Sequence, residues 1–199
     1  MKKKKFLYLF IIILGLIFSI NIYANAISKS ISKKVIRFHV LANSNSTEDQ
    51  SLKLKVRDNV INYTKEILKN SSSIDESRNI LTKNIPTIKN IATNTLALEN
   101  NYDNVEVLLS NSHFPDKSYG DLTFPEGEYE ALKIIIGEGK GNNWWCVMFP
   151  PLCFTDIDKG SIDVNSQKLL QENLSKSEMA LLREKNNEVK IKFKISELI

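Results

Sequence analysis

The N-terminal leader constrains this chain more than any other feature. Four lysines, Lys2–Lys5, precede a nearly unbroken apolar run from Phe6 to Ile20. Small residues follow at Ala24 and Ala26, the two positions that signal peptidase reads. The leader therefore predicts export across a membrane, with residues 1–26 as a signal peptide.

The length of the apolar run leaves one alternative open. As an α-helix, Phe6–Ile22 would span roughly 25 Å, slightly less than the roughly 30 Å hydrocarbon core of a bilayer, which favours a cleaved signal peptide. A thinned bilayer would still accept the segment, so an uncleaved anchor is the alternative. No second run of 18 or more apolar residues follows. Residues 27–199 are therefore expected to form a single domain outside the membrane, contacting the bilayer only through the leader or a partner.

The charge balance bears on the kind of partner. The 199-residue chain carries 27 basic and 23 acidic residues, and the excess of four comes from Lys2–Lys5. The leader contains no acidic residue, so 23 residues of each sign remain without it. A nucleic-acid-binding protein needs a positive surface that displaces counterions from phosphates. The balanced remainder argues against nucleic acid as a partner.

Two capped helices are expected in the first half of the domain. Ser46, with an aspartate three residues later, is a good N-cap for a helix over about residues 47–69. A capping box at Ser73 opens a helix towards Asn100, which Pro86 is expected to kink or restart because proline lacks a backbone N–H. A second apolar stripe on the first helix either packs within the domain or docks a partner; its members are Leu54, Ile61 and Leu68.

Short alternating apolar segments predict a β-sheet. Strands are expected at residues 35–41, 105–109, 129–136, 144–149 and 189–195, with a weakly patterned helix at residues 165–185. The strand at 129–136 ends in three isoleucines, so it is expected to be central, with 144–149 as its hairpin partner. These elements predict one α+β domain, a mostly antiparallel sheet with helices packed on it.

Few residues fit a catalytic or cofactor site. The sequence has no G-x-S-x-G and no H-E-x-x-H motif, and its two histidines do not match zinc-binding spacing with the cysteines. Gly137–Gly141 lacks the spacing of a nucleotide-binding loop and is expected to be a turn. Acidic residues near 126–130 would suit a paired-carboxylate glycosidase, but a solvated turn and strand is the simpler interpretation. No catalytic residue, cofactor or metal is predicted.

Cys146 and Cys153 suggest a disulfide, because exported proteins fold in an oxidising environment. Two buried free thiols are the alternative. Adjacent tryptophans, Trp144 and Trp145, precede the first cysteine. Either one of them packs in the core while the other is half covered, or they form an exposed aromatic anchor of the kind that dominates binding surfaces.

Several blocks resemble one known family over about residues 34–156. They read RFHVLANS at 37–44, YGDLTFP at 119–125, GEYEAL at 127–132, GEGKG at 137–141 and NWWCVMFPPLCF at 143–154. Together they resemble the stage II sporulation protein R family. The last block is long and unusual, which makes the resemblance specific.

The resemblance implies a signalling role without enzymatic activity. Members are exported from the forespore into the space between forespore and mother cell. There they trigger a membrane-embedded aspartic protease that removes the pro-sequence of the early mother-cell sigma factor. On this basis the chain is expected to bind the extracytoplasmic face of that protease, and to be membrane-tethered if the leader is retained.

The candidate contact residues combine aromatic side chains with one acidic residue: Tyr119, Asp121, Phe124, Trp144 and Trp145. The rival hypothesis is a secreted protein that binds or hydrolyses the cell wall. A hydrolase would need a cleft that gathers acidic residues with His39 or Cys146. A wall-binding protein would stack its tryptophans on sugars.

Overall fold

The computed structural model describes residues 2–153 and 164–184. Helix caps and strand pairing define the elements within these ranges. The elements are α1 (Lys2–Ser32), β1 (Ile36–Leu41), α2 (Thr47–Leu68), α3 (Ile74–Leu98), β2 (Val105–Phe114), β3 (Lys117–Tyr119), β4 (Leu122–Phe124), β5 (Gly127–Ile136), β6 (Asn143–Phe149), α4 (Val164–Asn173) and α5 (Lys176–Glu184). The strand predicted at 189–195 lies outside the described residues.

The main sheet has the strand order β2-β5-β1-β6. β5 is antiparallel to β2 and parallel to β1, and β6 is antiparallel to β1. The predicted α+β class is confirmed, and so is the central position of β5. The predicted hairpin of β5 with β6 is wrong, because β1 lies between them. The turn after β5 bonds instead to the loop after β1, with Lys140 N–H donating to Asn43 O at 3.1 Å. This carries β6 to the far side of β1.

The caps of α2 and α3 follow the sequence prediction. The hydroxyl of Ser46 accepts from Asp49 N–H at 3.1 Å, and that of Ser73 accepts from Glu76 N–H at 3.3 Å. The predicted restart of the second helix is wrong, since α3 continues through Pro86. Pro86 is exposed, so the carbonyl that lost its N–H donor can bind water.

The residues of the second apolar stripe of α2 become less exposed towards the C-terminal end of the helix. Leu54 is 39% exposed, Ile61 is half-buried and packs on the core, and Leu68 is buried. α2 packs on α3, and the pair covers one face of the sheet through contacts with β1 and β2. Most of the stripe therefore packs within the domain.

The helix predicted at 165–185 is interrupted after Asn173. Ser175 caps α5: its hydroxyl accepts from Glu178 N–H at 3.3 Å, and its own N–H donates to the Glu178 carboxylate at 2.6 Å. This reciprocal pair is a capping box, and it makes α4 and α5 two separate helices.

α1 is continuous from the leader into the domain. Its large apolar residues from Phe6 to Tyr23 are exposed, whereas Ile27 packs against the core and Ile31 is completely buried in it. Ser30 Oγ and Lys34 Nζ bond to Glu178 at 2.6 and 2.8 Å, which fixes the end of α1 to α5. The segment Lys5–Ser32, which contains an 18-residue window of mean hydropathy 2.4, is long and apolar enough to cross a membrane, a property that signal sequences share.

Ala24 and Ala26 lie inside this helix. Cleavage of the leader and the domain boundary at residue 27 stay predictions.

Candidate functional site

A buried arginine organises the sheet face opposite α2 and α3. Arg37 on β1 is completely buried, and its guanidinium lies over the rings of Phe114 (4.5 Å), Tyr129 (4.9 Å), Phe124 (5.5 Å) and Tyr119 (5.7 Å). Nε donates to Cys146 O at 3.1 Å and Nη2 to the Tyr119 hydroxyl at 3.2 Å. No carboxylate in the described ranges forms an ion pair with it. We call these five residues the Arg37 cluster.

In the Arg37 cluster, the faces of four aromatic rings surround the guanidinium in place of a counter-ion. Loss of solvent lowers the pKa of Arg37, and cation–π contacts compensate part of that cost. Burial also raises the pKa of Tyr119, and raises that of Tyr129 to about 12. Both phenols are therefore neutral and serve as hydrogen-bonding groups; the Tyr129 hydroxyl donates to Pro125 O at 2.7 Å.

The cluster also fixes the β3–β4 hairpin on the sheet. Tyr119 closes β3 and Phe124 closes β4, and they are 5% and 0% exposed. The expectation that these two side chains face a partner therefore does not fit the structure. They hold the hairpin, whereas Asp121 at its tip is exposed and lies 3.6 Å from Arg183 Nε.

Trp144 and Trp145 are both half-buried and lie on opposite faces of β6. Trp144 packs edge-on against Phe38 at 5.7 Å, and the Arg57 guanidinium of α2 lies 5.0 Å from its ring. Trp145 stacks on His39 at 6.0 Å, and Lys117 Nζ of the hairpin lies 4.8 Å from its ring. Each indole is thus held between a ring and a cation.

Trp145 has an additional property. Its Nε1 is buried and has no hydrogen-bond partner in the part of the chain that the structure describes. A buried donor without an acceptor is costly, so this position calls for a structural or functional explanation. We call Trp145, Lys117 and the hairpin-tip Asp121 the tryptophan surface.

Of the residues that a hydrolase would gather, Glu126, Glu128 and Glu130 line one cavity beside α1, but neither His39 nor Cys146 is in its lining. Glu130 pairs with Arg78 at 2.9 Å, and Glu128 lies 3.4 Å from His113. Cys146 lies on the opposite sheet face from His39, and burial lowers the pKa of that histidine. Residues 2–153 and 164–184 contain no group of three or more His, Cys, Asp or Glu side chains that could hold a metal.

The structure joins Cys146 to Cys153 in a disulfide with a Cα–Cα distance of 5.7 Å. The enclosed turn is tight, since Val147 O accepts from both Leu152 N–H and Cys153 N–H at 3.1 Å. The disulfide thus closes the turn at the end of β6, directly after the two tryptophans.

Two further sequence blocks form a hydrogen-bonded clasp between the loops after β1 and β5. Asn43 Oδ1 accepts from Glu138 N–H at 3.0 Å, and Asn45 Oδ1 accepts from Asn142 N–H at 2.7 Å. A Cβ on Gly141 would lie 2.2 Å from Ser44 O, so only glycine fits there. The glycine segment is therefore a turn, as expected, and its glycines serve close packing.

The Arg37 cluster was missed by sequence reasoning, although a signal exists. An arginine stands between two apolar residues, Ile36 and Phe38, in a predicted strand. A charge at such a position requires compensation, which points to a partner elsewhere in the fold.

Known proteins match the chain along most of its length. The family model for Stage II sporulation protein R (spore_II_R) matches residues 32–159. A relative from Bacillus subtilis (strain 168), Stage II sporulation protein R, is 37% identical over 182 residues, covering 85% of this chain and 81% of the relative. No solved structure matches. The matched region contains the Arg37 cluster, the clasp and the tryptophan surface.

Proposed function

Because the chain belongs to the stage II sporulation protein R family, we propose that it is an exported signal that activates a membrane-embedded aspartic protease. The protease then removes the pro-sequence of the early mother-cell sigma factor. In this proposal the chain acts in the space between forespore and mother cell, and it is not itself an enzyme. The carrying observation is family membership combined with an apolar N-terminal helix that leads directly into the folded domain.

The tryptophan surface is the proposed contact with the protease. Half-buried aromatic rings with a nearby cation are common centres of binding energy. The half-buried Trp145 ring offers an aromatic face to the protease, and Asp121 adds an exposed charge at the rim. Trp144 supports this surface from the other face of β6, while Tyr119 and Phe124 hold the hairpin in place.

Activation requires a difference in affinity between two states of the protease. A ligand shifts an equilibrium only by as much as it binds one state more tightly than the other. We therefore expect the tryptophan surface to contact a part of the protease that is rearranged or newly exposed when the protease is active.

Reconstitution in a non-sporulating host tests the proposal. The protease and its pro-sigma substrate are expressed with the full chain or with a chain lacking residues 1–26. Cleavage of the pro-sequence is expected only with the full, exported chain. Absence of cleavage when the chain is folded and exported would contradict the proposal. Retention of the chain on purified peptidoglycan would then favour the wall-binding alternative.

A single substitution tests the surface within the same assay. Trp145→Ala is expected to reduce pro-sigma cleavage at least about tenfold, the usual effect of losing an aromatic anchor. Tyr102→Ala is the matched control, because Tyr102 is 82% exposed and lies outside the tryptophan surface. Equal cleavage by the two variants, with both proteins folded, would show that the tryptophan surface is not the contact with the protease. The proposed activation of the protease by this chain would not be contradicted.

A further inference from the structure

A cavity of about 780 Å³ opens between the end of α1 and the start of β5. One wall consists of the last turns of α1, from Asn25 to Lys33. The other wall consists of residues 126–130 at the start of β5, with Arg78 and Asn111 at its side. None of these residues belongs to the tryptophan surface, and the proposed function does not use them, apart from Tyr129 in the Arg37 cluster.

The position of the cavity along α1 matches the depth of lipid headgroups when α1 spans a bilayer. A hydrocarbon core of about 30 Å takes about 20 helical residues, so a span that begins at Phe6 ends near Ala26. The headgroup layer adds roughly 5 to 7 Å, or about four more residues. Lys29 therefore lies in this layer and Lys33 at its outer edge. The burial of Ile31 ties this depth to the domain.

The two walls carry opposite charges. Lys29 lies in the last turn of α1 and Lys33 directly follows the helix, and neither forms an ion pair with any residue in the described ranges. Glu126 and Glu128 are exposed on the β5 side, with His113 Nδ1 3.4 Å from Glu128 Oε1, while Glu130 is already paired with Arg78. The free cations suit a phosphate group, and the acids suit an ammonium group. A purely anionic headgroup would satisfy the lysines but would be repelled by the acids.

We propose that this cavity binds the headgroup of an amine-bearing phospholipid of the phosphatidylethanolamine type. The phosphodiester contacts Lys29 and Lys33, and the ammonium contacts Glu126 and Glu128. Binding seats the domain on the outer leaflet in one orientation, which fixes the direction in which the tryptophan surface points. The inference requires that α1 is retained, but it does not depend on the identity of the partner.

Native mass spectrometry of the full-length chain, released from nanodiscs of defined lipid composition, tests the proposal. Phosphatidylethanolamine is expected to be retained in preference to phosphatidylglycerol. The double variant Lys29→Glu/Lys33→Glu should lose about tenfold or more of this retention. The matched control is Lys168→Glu/Lys176→Glu, which makes the same charge change at exposed positions on α4 and α5. Equal retention of the two lipids by the unaltered chain, or equal losses in both double variants, would overturn the proposal.

Two further arms define the ligand. Glu126→Gln/Glu128→Gln should remove the preference for phosphatidylethanolamine over phosphatidylglycerol while leaving retention of phospholipid, because the lysines still hold the phosphate. An unchanged preference would contradict the ammonium assignment. Soluble glycerophosphoethanolamine at equal concentration should not displace the lipid, because acyl chains hold the lipid beside α1. Displacement would show that a soluble molecule, and not the membrane, is the ligand.

Discussion

Trp144 and Trp145 are neighbours in sequence with identical side chains, yet they lie in different layers of the molecule. Trp144 faces the helical layer, packed on Phe38 and below Arg57 of α2. Trp145 faces the hairpin layer, stacked on His39 with Lys117 above it. Successive side chains of a strand point to opposite faces, so one step along β6 separates a packing residue from a candidate contact residue.

The two layers differ in what holds them. The helical layer contains α2 and α3, which bury leucine, isoleucine and valine side chains in a continuous core. The hairpin layer contains two strands of three residues each, which are attached through the Arg37 cluster and through packing of α5 against β4. A surface built on two short strands is easier to rearrange than one built on two long helices. This difference makes the Trp145 side the better candidate for binding.

The largest expected effect comes from Arg37→Ala, which removes the centre of the hairpin layer only. The variant loses four ring contacts and two hydrogen bonds and leaves a cavity, so we expect a loss of about 3 to 5 kcal/mol in the free energy of unfolding. Urea unfolding of the full-length protein in detergent micelles measures it. Hydrogen exchange should show β3 and β4 deprotected while α2 stays protected. Equal deprotection of both layers would show that Arg37 stabilises the helical layer as much as the hairpin layer.

Arg37→Met separates the role of the charge from that of the volume. Replacement of a buried charge by an apolar side chain of similar length is often nearly neutral. We therefore expect this variant to recover most of the stability lost by Arg37→Ala. A loss as large as that of the alanine variant would show that the cation itself, through its ring contacts and hydrogen bonds, holds the hairpin.

An intermediate effect is expected from Trp144→Ala compared with Trp145→Ala. Trp144 is half-buried against Phe38, so its truncation should cost about 2 kcal/mol of unfolding free energy. Trp145→Ala should cost less, because it also removes the unpaired indole N–H. Thermal unfolding of both variants, alongside the cleavage assay, measures the two effects. If Trp144→Ala is the more stable variant, the expectation that Trp144 contributes more to packing than Trp145 is wrong.

Local patterns in the sequence predicted local structure correctly. Ser46 and Ser73 were predicted as caps because a serine side chain and the N–H groups of the first turn are close in sequence. The central position of β5 followed from its apolar run, since a strand covered on both faces needs no polar side chain. These features depend on residues a few positions apart.

Strand pairing and burial that depend on residues far apart in the sequence could not be predicted from local patterns. The glycine turn after β5 predicted a hairpin with β6, but the asparagines of the β1 loop bind that turn and direct β6 to β1. Tyr119 and Phe124 carry no sign of burial in their own segment, because the cation that buries them is Arg37, far away in sequence. The α4–α5 break at Ser175 does have a local signal in the sequence, a serine followed three residues later by Glu178.

The smallest expected effect lies at Glu178, away from both tryptophans. Burial would raise the pKa of this carboxyl, but the bonds from Lys34, Ser30 and Ser175 outweigh burial and lower it from 4.5 to about 2. The folded pKa is below the unfolded one, so the stabilisation is complete above about pH 4.5 and is lost as the pH falls towards 2. Because Lys34 is partly exposed, screening limits the contribution to about 1 kcal/mol.

Glu178→Gln should therefore lower stability at pH 7 and flatten the dependence of unfolding free energy on pH between about 4.5 and 2. Hydrogen exchange of residues 27–32 measures the contact of α1 with α5 directly, and Glu172→Gln on α4 is the control, since Glu172 is exposed. Fluorescence of both tryptophans should stay constant over the same pH range. A change in the fluorescence of Trp145 would mean that the contact between α1 and α5 affects the hairpin layer. The two layers would then differ less in what stabilises them, because the hairpin layer would also depend on the end of α1.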